Sequence, residues 1–152
     1  MYDVVKYVHI LCAIIWVGGA AYSQVLGVLV ARSPDPTDIP KLANNFAKIG
    51  TMVFLPASLL LFLAGLFMTI NRWSFQQTWI SIAIALWLVS VIMGAVYTGP
   101  RLPKMASAFE TEGPTSGTGL GILRRILLVS RAELVMLFVI VALMVFKPTF
   151  GA

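Results

Sequence analysis

Four uninterrupted apolar runs, at about 7–30, 50–70, 79–98 and 127–146, constrain this chain more than anything else in it. Each matches the ~20 residues that carry an α-helix across ~30 Å of hydrocarbon at 1.5 Å per residue. The runs are continuous and do not alternate with period two, so they read as helices and not as strands of a barrel. Only 11% of the 152 residues are charged and 59% are hydrophobic, against roughly 25% charged in an ordinary soluble domain. The expected fold class is therefore all-α, a four-transmembrane-helix bundle, with residues 1–152 forming one domain. Its helices are expected at about 7–30, 50–70, 79–98 and 120–146, with cytoplasmic loops at 31–49 and 99–119.

The boundaries come from local chemistry. Arg32-Ser33-Pro34-Asp35-Pro36 cannot continue a helix, because neither proline has an N–H to donate. Thr37 or Asp38 is placed to cap the next helical segment, where Leu42, Phe46 and Ile49 recur at near-helical spacing, as in an amphipathic lead-in to the second run. Pro56 falls inside that run and predicts a kink. Gly99-Pro100 is read as the stop of the third helix. Residues 102–112 look helical, and the Gly/Ser/Thr-rich stretch from Gly113 to Gly119 looks like a linker. The first run is too long for a signal-peptide core and no small-residue cleavage site closes it. Cys12 is the single cysteine, which excludes an internal disulfide and a cysteine-based zinc cluster.

The net charge of +5 is a matter of placement and does not indicate nucleic-acid binding. Arg32, Lys41, Lys48, Arg101, Lys104, Arg124, Arg125 and Arg131 lie toward the two long connections, and only Lys6, Arg72 and Lys147 lie toward the other side. The positive-inside rule then puts the long connections in the cytoplasm and both termini outside. The expected location is a bacterial cytoplasmic (inner) membrane, with lipid and either other membrane subunits or further copies of the chain as partners.

Few residues here bear chemistry. His9 is the lone histidine, and positions 9, 12 or 13, 16, 20, 23 and 27 share one helical face. A neutral imidazole in an apolar bundle is a standard haem or metal ligand; the alternative is an interfacial ring bonded to backbone. Met68 and Met144 stand at the depth of His9 on helices two and four and are candidate axial sulfur donors, with Trp16 on the same face as the imidazole. Cys12 with His9 and a methionine would suit copper(I), although a small buried cysteine is the plainer reading. Gly19, Ser23 and Gly27 form a ladder of small residues, suited to helix packing or to leaving room for a flat cofactor. Arg131 and Glu133 fall about one turn inside the membrane. They are read as an ion pair or proton site, with Arg101 as an alternative partner for Glu133. No phosphate loop, nucleophilic triad or zinc-protease motif is present.

Taken together, Lys6-x-x-His9-Ile10, Trp16-x-Gly18-Gly19, Pro56 with Ala64-Gly65, Trp79, Gly99-Pro100-Arg101, Glu133 and Met144-x-x-Lys147-Pro148 resemble an uncharacterised family of bacterial four-helix integral membrane proteins. More distantly, the chain is similar to HemJ-type protoporphyrinogen oxidases and to copper-resistance-D-like proteins. The HemJ resemblance implies a b-type haem (haem b) on the first-helix histidine, matched by His9, and a glutamate opening the fourth helix, matched by Glu133. That family's lysine early in helix three has no counterpart in Ser81-Ile82-Ala83-Ile84-Ala85. Its arginine late in helix one has none in Ser23-Gln24-Val25. What carries over is the haem ligand and not the oxidase. The expected function is a haem-binding redox or tetrapyrrole-handling protein using His9. The alternatives are a non-catalytic accessory subunit of a larger membrane complex, and copper handling.

Overall fold

The computed structural model describes residues 1–33, 35, 37–113 and 115–148. It is a bundle of helices joined by tight connections, with no strand among the described residues. The helices are α1 (Tyr2–Val30), α2 (Asp38–Ile49), α3 (Leu55–Arg72), α4 (Thr78–Ile92), α5 (Gly99–Glu112) and α6 (Gly117–Phe146). Two π turns, Gly50–Phe54 and Met93–Thr98, weld α2 to α3 and α4 to α5. Four rods result, Tyr2–Val30, Asp38–Arg72, Thr78–Glu112 and Gly117–Phe146, each long and apolar enough to cross a membrane. Consecutive rods run antiparallel. The termini and the 73–77 connection lie at one end, called here the termini end; the 31–37 and 113–116 connections lie at the loop end.

Most of what the sequence assigned to cytoplasmic loops is thus helix. Gly99-Pro100 does not stop the third rod, and the reason is the π turn just before it. In a regular α-helix the Pro100 ring would strike the carbonyl four residues back, and no N–H would replace it as a donor. In the widened turn the Gly99 N–H instead reaches the Gly94 carbonyl, five residues back. A Cβ on residue 99 would lie 3.2 Å from that oxygen, so glycine suits the position. Pro56 has the same solution one rod earlier, where the Leu55 N–H bonds to the Gly50 carbonyl. Side chains satisfy part of the loosened backbone. The Arg101 guanidinium donates to the Tyr97 carbonyl at 2.8 Å, and the Thr51 hydroxyl donates to the Ala47 and Lys48 carbonyls. Such local repair is what lets proline persist in membrane helices.

The rods also explain the amphipathic lead-in. Ile39, Leu42, Ala43 and Phe46 in α2, and Leu102, Met105, Ala106 and Phe109 in α5, share the same i, i+3, i+4, i+7 spacing. The two stripes face each other and close on Leu123 and Ile126 of α6 to form a core at the loop end. The Ser116 hydroxyl accepts from the Gly119 N–H at 2.9 Å and caps α6, while donating to Glu112 at 2.6 Å. A second core, at the termini end, gathers Trp79, Ile80, Ala83 and Leu143. Trp79 is buried and meets Trp73 edge to face at 5.5 Å. Lys147 terminates α6 in the left-handed conformation, with φ of 45°. The 31–37 break is present, but its Pro34 and Pro36, like Pro114 of the 113–119 linker, lie outside the described residues.

In the 31–37 connection, the backbone N–H and the hydroxyl of Thr37 both donate to Asp35 Oδ1 at 2.8 Å. They hold its carboxyl below the usual carboxylate range. A carboxyl lowered in the folded state lends stability above its unfolded value and loses it as pH falls through the folded value. Acidification below about pH 4 is therefore expected to lower the unfolding temperature more in the wild type than in Asp35→Asn. Parallel pH profiles of the two proteins would show that the turn contributes nothing.

Candidate functional site

Between the two cores the rods part around two cavities. The one toward the termini end has a volume of about 580 Å³ and is lined by α1, α3, α4 and α6. His9, Trp16, Met68 and Met144, singled out separately in the sequence, all line it. Its walls are otherwise apolar or aromatic, including Trp73, Trp79, and Trp87 stacked on Phe62 at 4.2 Å. Ile14 and Val145, both well exposed, line its edge, so the cavity opens sideways between α1 and α6 onto the surface expected to meet lipid.

The seat of His9 is built by α3. Gly65 has no side chain, and the imidazole lies flat in the space: a Cβ there would sit 3.1 Å from His9 Cε1. One turn earlier the Leu61 carbonyl lies 2.9 Å from His9 Nδ1. A carbonyl only accepts, so Nδ1 carries the proton and Nε2 keeps its lone pair. Among the described residues Nε2 has no hydrogen-bond partner. A backbone carbonyl on one ring nitrogen, which sets tautomer and orientation, is the usual support behind a ligating histidine. Two cations stand at the outer end of the same rods. Arg72 lies 5.0 Å over the Tyr2 ring and Lys147 lies 4.4 Å over the Trp73 ring.

Cys12 is free and buried and lines neither cavity, so it is not brought together with Met68 and Met144. No group of three or more His, Cys, Asp or Glu is placed to hold a metal ion among the described residues. Gly19 and Gly27 are covered from within the chain. A Cβ on Gly19 would run into the Phe54 ring, and one on Gly27 would lie 2.7 Å from Leu127 Cδ2. That face offers no open seam to a neighbouring subunit. Ser23, between them, lines the second cavity.

The second cavity, about 400 Å³, lies toward the loop end and touches both π turns. It contains Glu133, whose Oε1 accepts from the Ser90 hydroxyl at 2.6 Å. The expected pairing with Arg131 does not occur. Residues two apart on a helix point in different directions, and Arg131 is exposed. Arg101, the other candidate, turns back onto its own helix, 3.5 Å over the Tyr97 ring and bonded to the Tyr97 carbonyl.

Several residues of these sites were not singled out in the sequence. Leu61 acts through its carbonyl, which no side-chain pattern announces. Gly65 stood out only as a small surface. Gln24 was noticed only as the place where an arginine was missing, yet a glutamine amid 20 apolar positions is a signal in itself. Ser90 was lost in a helix without charge.

A family model described as a predicted integral membrane protein matches residues 3–148, nearly the whole chain. No curated protein and no solved structure matches it.

Proposed function

The chain belongs to the DUF2269 family of predicted integral membrane proteins, and we propose that it binds a b-type haem through His9, for electron transfer or tetrapyrrole handling. The observation that carries the reading is the imidazole itself. Its Nδ1–H is held by a backbone carbonyl, and its Nε2 is left as a donor at an apolar cavity of about 580 Å³. That volume falls within the ~300–1,000 Å³ of ordinary cofactor sites. Haem bound there would supply a one-electron couple. The chain's own residues would bind and orient it. His9 Nε2 would hold it through nitrogen, and Met68 or Met144 could add a thioether from another wall.

Arg72 and Lys147 also suit the group. Arg72 is seven residues beyond Gly65 on α3, about 10 Å along the axis, where a cation would meet propionate carboxylates at the membrane border. The apolar and indole walls would keep water from the iron and so set its potential. Catalysis is not part of the proposal. The likeness to HemJ-type oxidases rests on His9 and Glu133, and those two residues line different cavities. The distribution of basic residues supports an orientation with the loop end in the cytoplasm. His9 would then work near the outer leaflet of a bacterial inner membrane. Copper handling is less well supported, since Cys12 stands apart from the methionines.

The test is an absorption spectrum of the full-length protein, purified in mild detergent from cells supplied with a haem precursor. A Soret band is expected in the wild type and its loss in His9→Ala, with both proteins eluting alike on gel filtration. A colourless wild type, or a band indifferent to His9→Ala, would end the proposal.

A further inference from the structure

The loop-end cavity has a different chemistry. Glu133 lies 13 residues before Phe146 on α6, about 20 Å below the termini end and well inside the membrane-spanning part. No Lys, Arg or His lines the cavity. The carboxylate's one hydrogen bond comes from Ser90, itself 1% exposed. The same cavity is lined by residues carrying further oxygens. Gln24 is only 9% exposed, and its Oε1 is buried with no partner. Thr98 Oγ1, in the second π turn, is also buried and without a partner. Both residues line this cavity, as do Ser23 and Ser130. Buried acceptors without donors carry a cost of about 1–3 kcal/mol each, and such groups in a native fold call for a partner.

We propose that this cavity binds a small organic ammonium ion with an apolar body. The charge argument is direct. A carboxylate with no counter-cation asks for a positive ligand, and one carboxylate suits a single positive charge, whereas divalent ions gather several. The Gln24 carbonyl oxygen asks for an N–H donor, which a protonated amine brings and a quaternary ammonium does not, and the Thr98 hydroxyl, which can donate or accept, can take a further N–H. The size argument is independent. About 400 Å³ falls in the range of small-molecule sites and is far larger than a bare ion needs. Apart from Thr51 and Ser58, the rest of the wall is apolar or aromatic, with Trp16 and Phe54 among it; ring faces attract organic cations. Both π turns border the site, and such turns are frequent where helices are bent around function. The site shares Trp16 with the His9 cavity, but its polar groups are its own and the proposal does not depend on haem.

The probe is benzylammonium, titrated into the full-length protein in detergent and followed by calorimetry, with benzyl alcohol as its uncharged counterpart. The wild type is expected to bind benzylammonium saturably, and benzyl alcohol at least tenfold more weakly. Glu133→Gln can still accept from Ser90 and so preserves packing; it is expected to weaken benzylammonium at least tenfold while leaving benzyl alcohol unchanged. Gln24→Leu is expected to weaken benzylammonium severalfold. Gel filtration of each variant checks folding. Non-saturable uptake, or equal affinity in wild type and Glu133→Gln, would overturn the site. Displacement of benzylammonium by millimolar sodium alone would assign the cavity to a bare metal ion and overturn the ammonium.

Discussion

Gly65→Val is expected to abolish the proposed haem binding at His9 while leaving the bundle assembled. The first atom of any side chain at residue 65 would stand 3.1 Å from His9 Cε1 and 3.4 Å from Nδ1. Carbon atoms in favourable contact sit at about 3.5–4.0 Å. A Cβ alone forces the ring to move, and the two methyls of valine take the place where it lies. Once the ring swings out, the Nδ1–H loses the Leu61 carbonyl, and with it the contact that fixes the ring's tautomer and orientation. Haem retention in Gly65→Val is expected to fall at least tenfold, read as Soret absorbance per mole of protein. The paired control is Gly18→Ala, on α1 and lining the same cavity, where a Cβ meets nothing within 4 Å; its retention should match the wild type. Full pigment in Gly65→Val would mean that the imidazole does not need this seat.

The second large effect concerns stability, and its sign reverses within half a turn. Gly119→Ala would put a Cβ 2.6 Å from Phe109 Cε2 and 2.8 Å from two more atoms of that ring. Phe109 is 5% exposed and sits in the loop-end core, so the ring has nowhere to go. Overpacking of this kind costs about 1–3 kcal/mol. Gly121 is exposed, and a Cβ there meets nothing within 4 Å. Replacing a helical glycine by alanine in open space gains about 0.5–1 kcal/mol. Gly119→Ala should therefore lower the thermal unfolding midpoint in detergent and Gly121→Ala should raise it. A rise in both would show that Phe109 yields, and that the loop-end core is looser than its burial implies; a fall in both would show that Gly121 does not stand in open space.

The all-α, membrane-spanning architecture was legible in the residues, because twenty apolar positions in a row have few alternatives to a helix in lipid. The lengths of the rods were not. Gly99-Pro100 carries the ordinary signature of a helix end, and only the wide turn before it, a backbone device with no side-chain signature, lets the helix run on. The helical periodicity of residues 38–49 and 102–112 was visible; that each continues an adjoining membrane helix as one rod was not. The cavity at the termini end was partly legible, since His9, Met68 and Met144 could be matched by depth along their helices. What seats His9 could not be, because a carbonyl and an absent side chain leave no mark in a sequence. The Arg131–Glu133 pairing failed for a reason the sequence already contained, as positions two apart on a helix diverge. Proximity in the chain stood in for proximity in space.

The wide turns at Gly50–Phe54 and Met93–Thr98 also make length an adjustable quantity. A π turn is an α-helix holding one extra residue. Because the wide turn takes up that residue, removing it would let the segment close as ordinary α-helix with the flanking halves near their present phase, whereas the same deletion in an unbroken α-helix rotates everything beyond it by about 100° at 3.6 residues per turn. In the third rod the Leu102–Phe109 stripe would still face the loop-end core, but the Pro100 ring would now meet the carbonyl four residues back. The two junctions are thus where the second and third rods can change length by one residue without turning their ends, and proline is what holds them at the longer count.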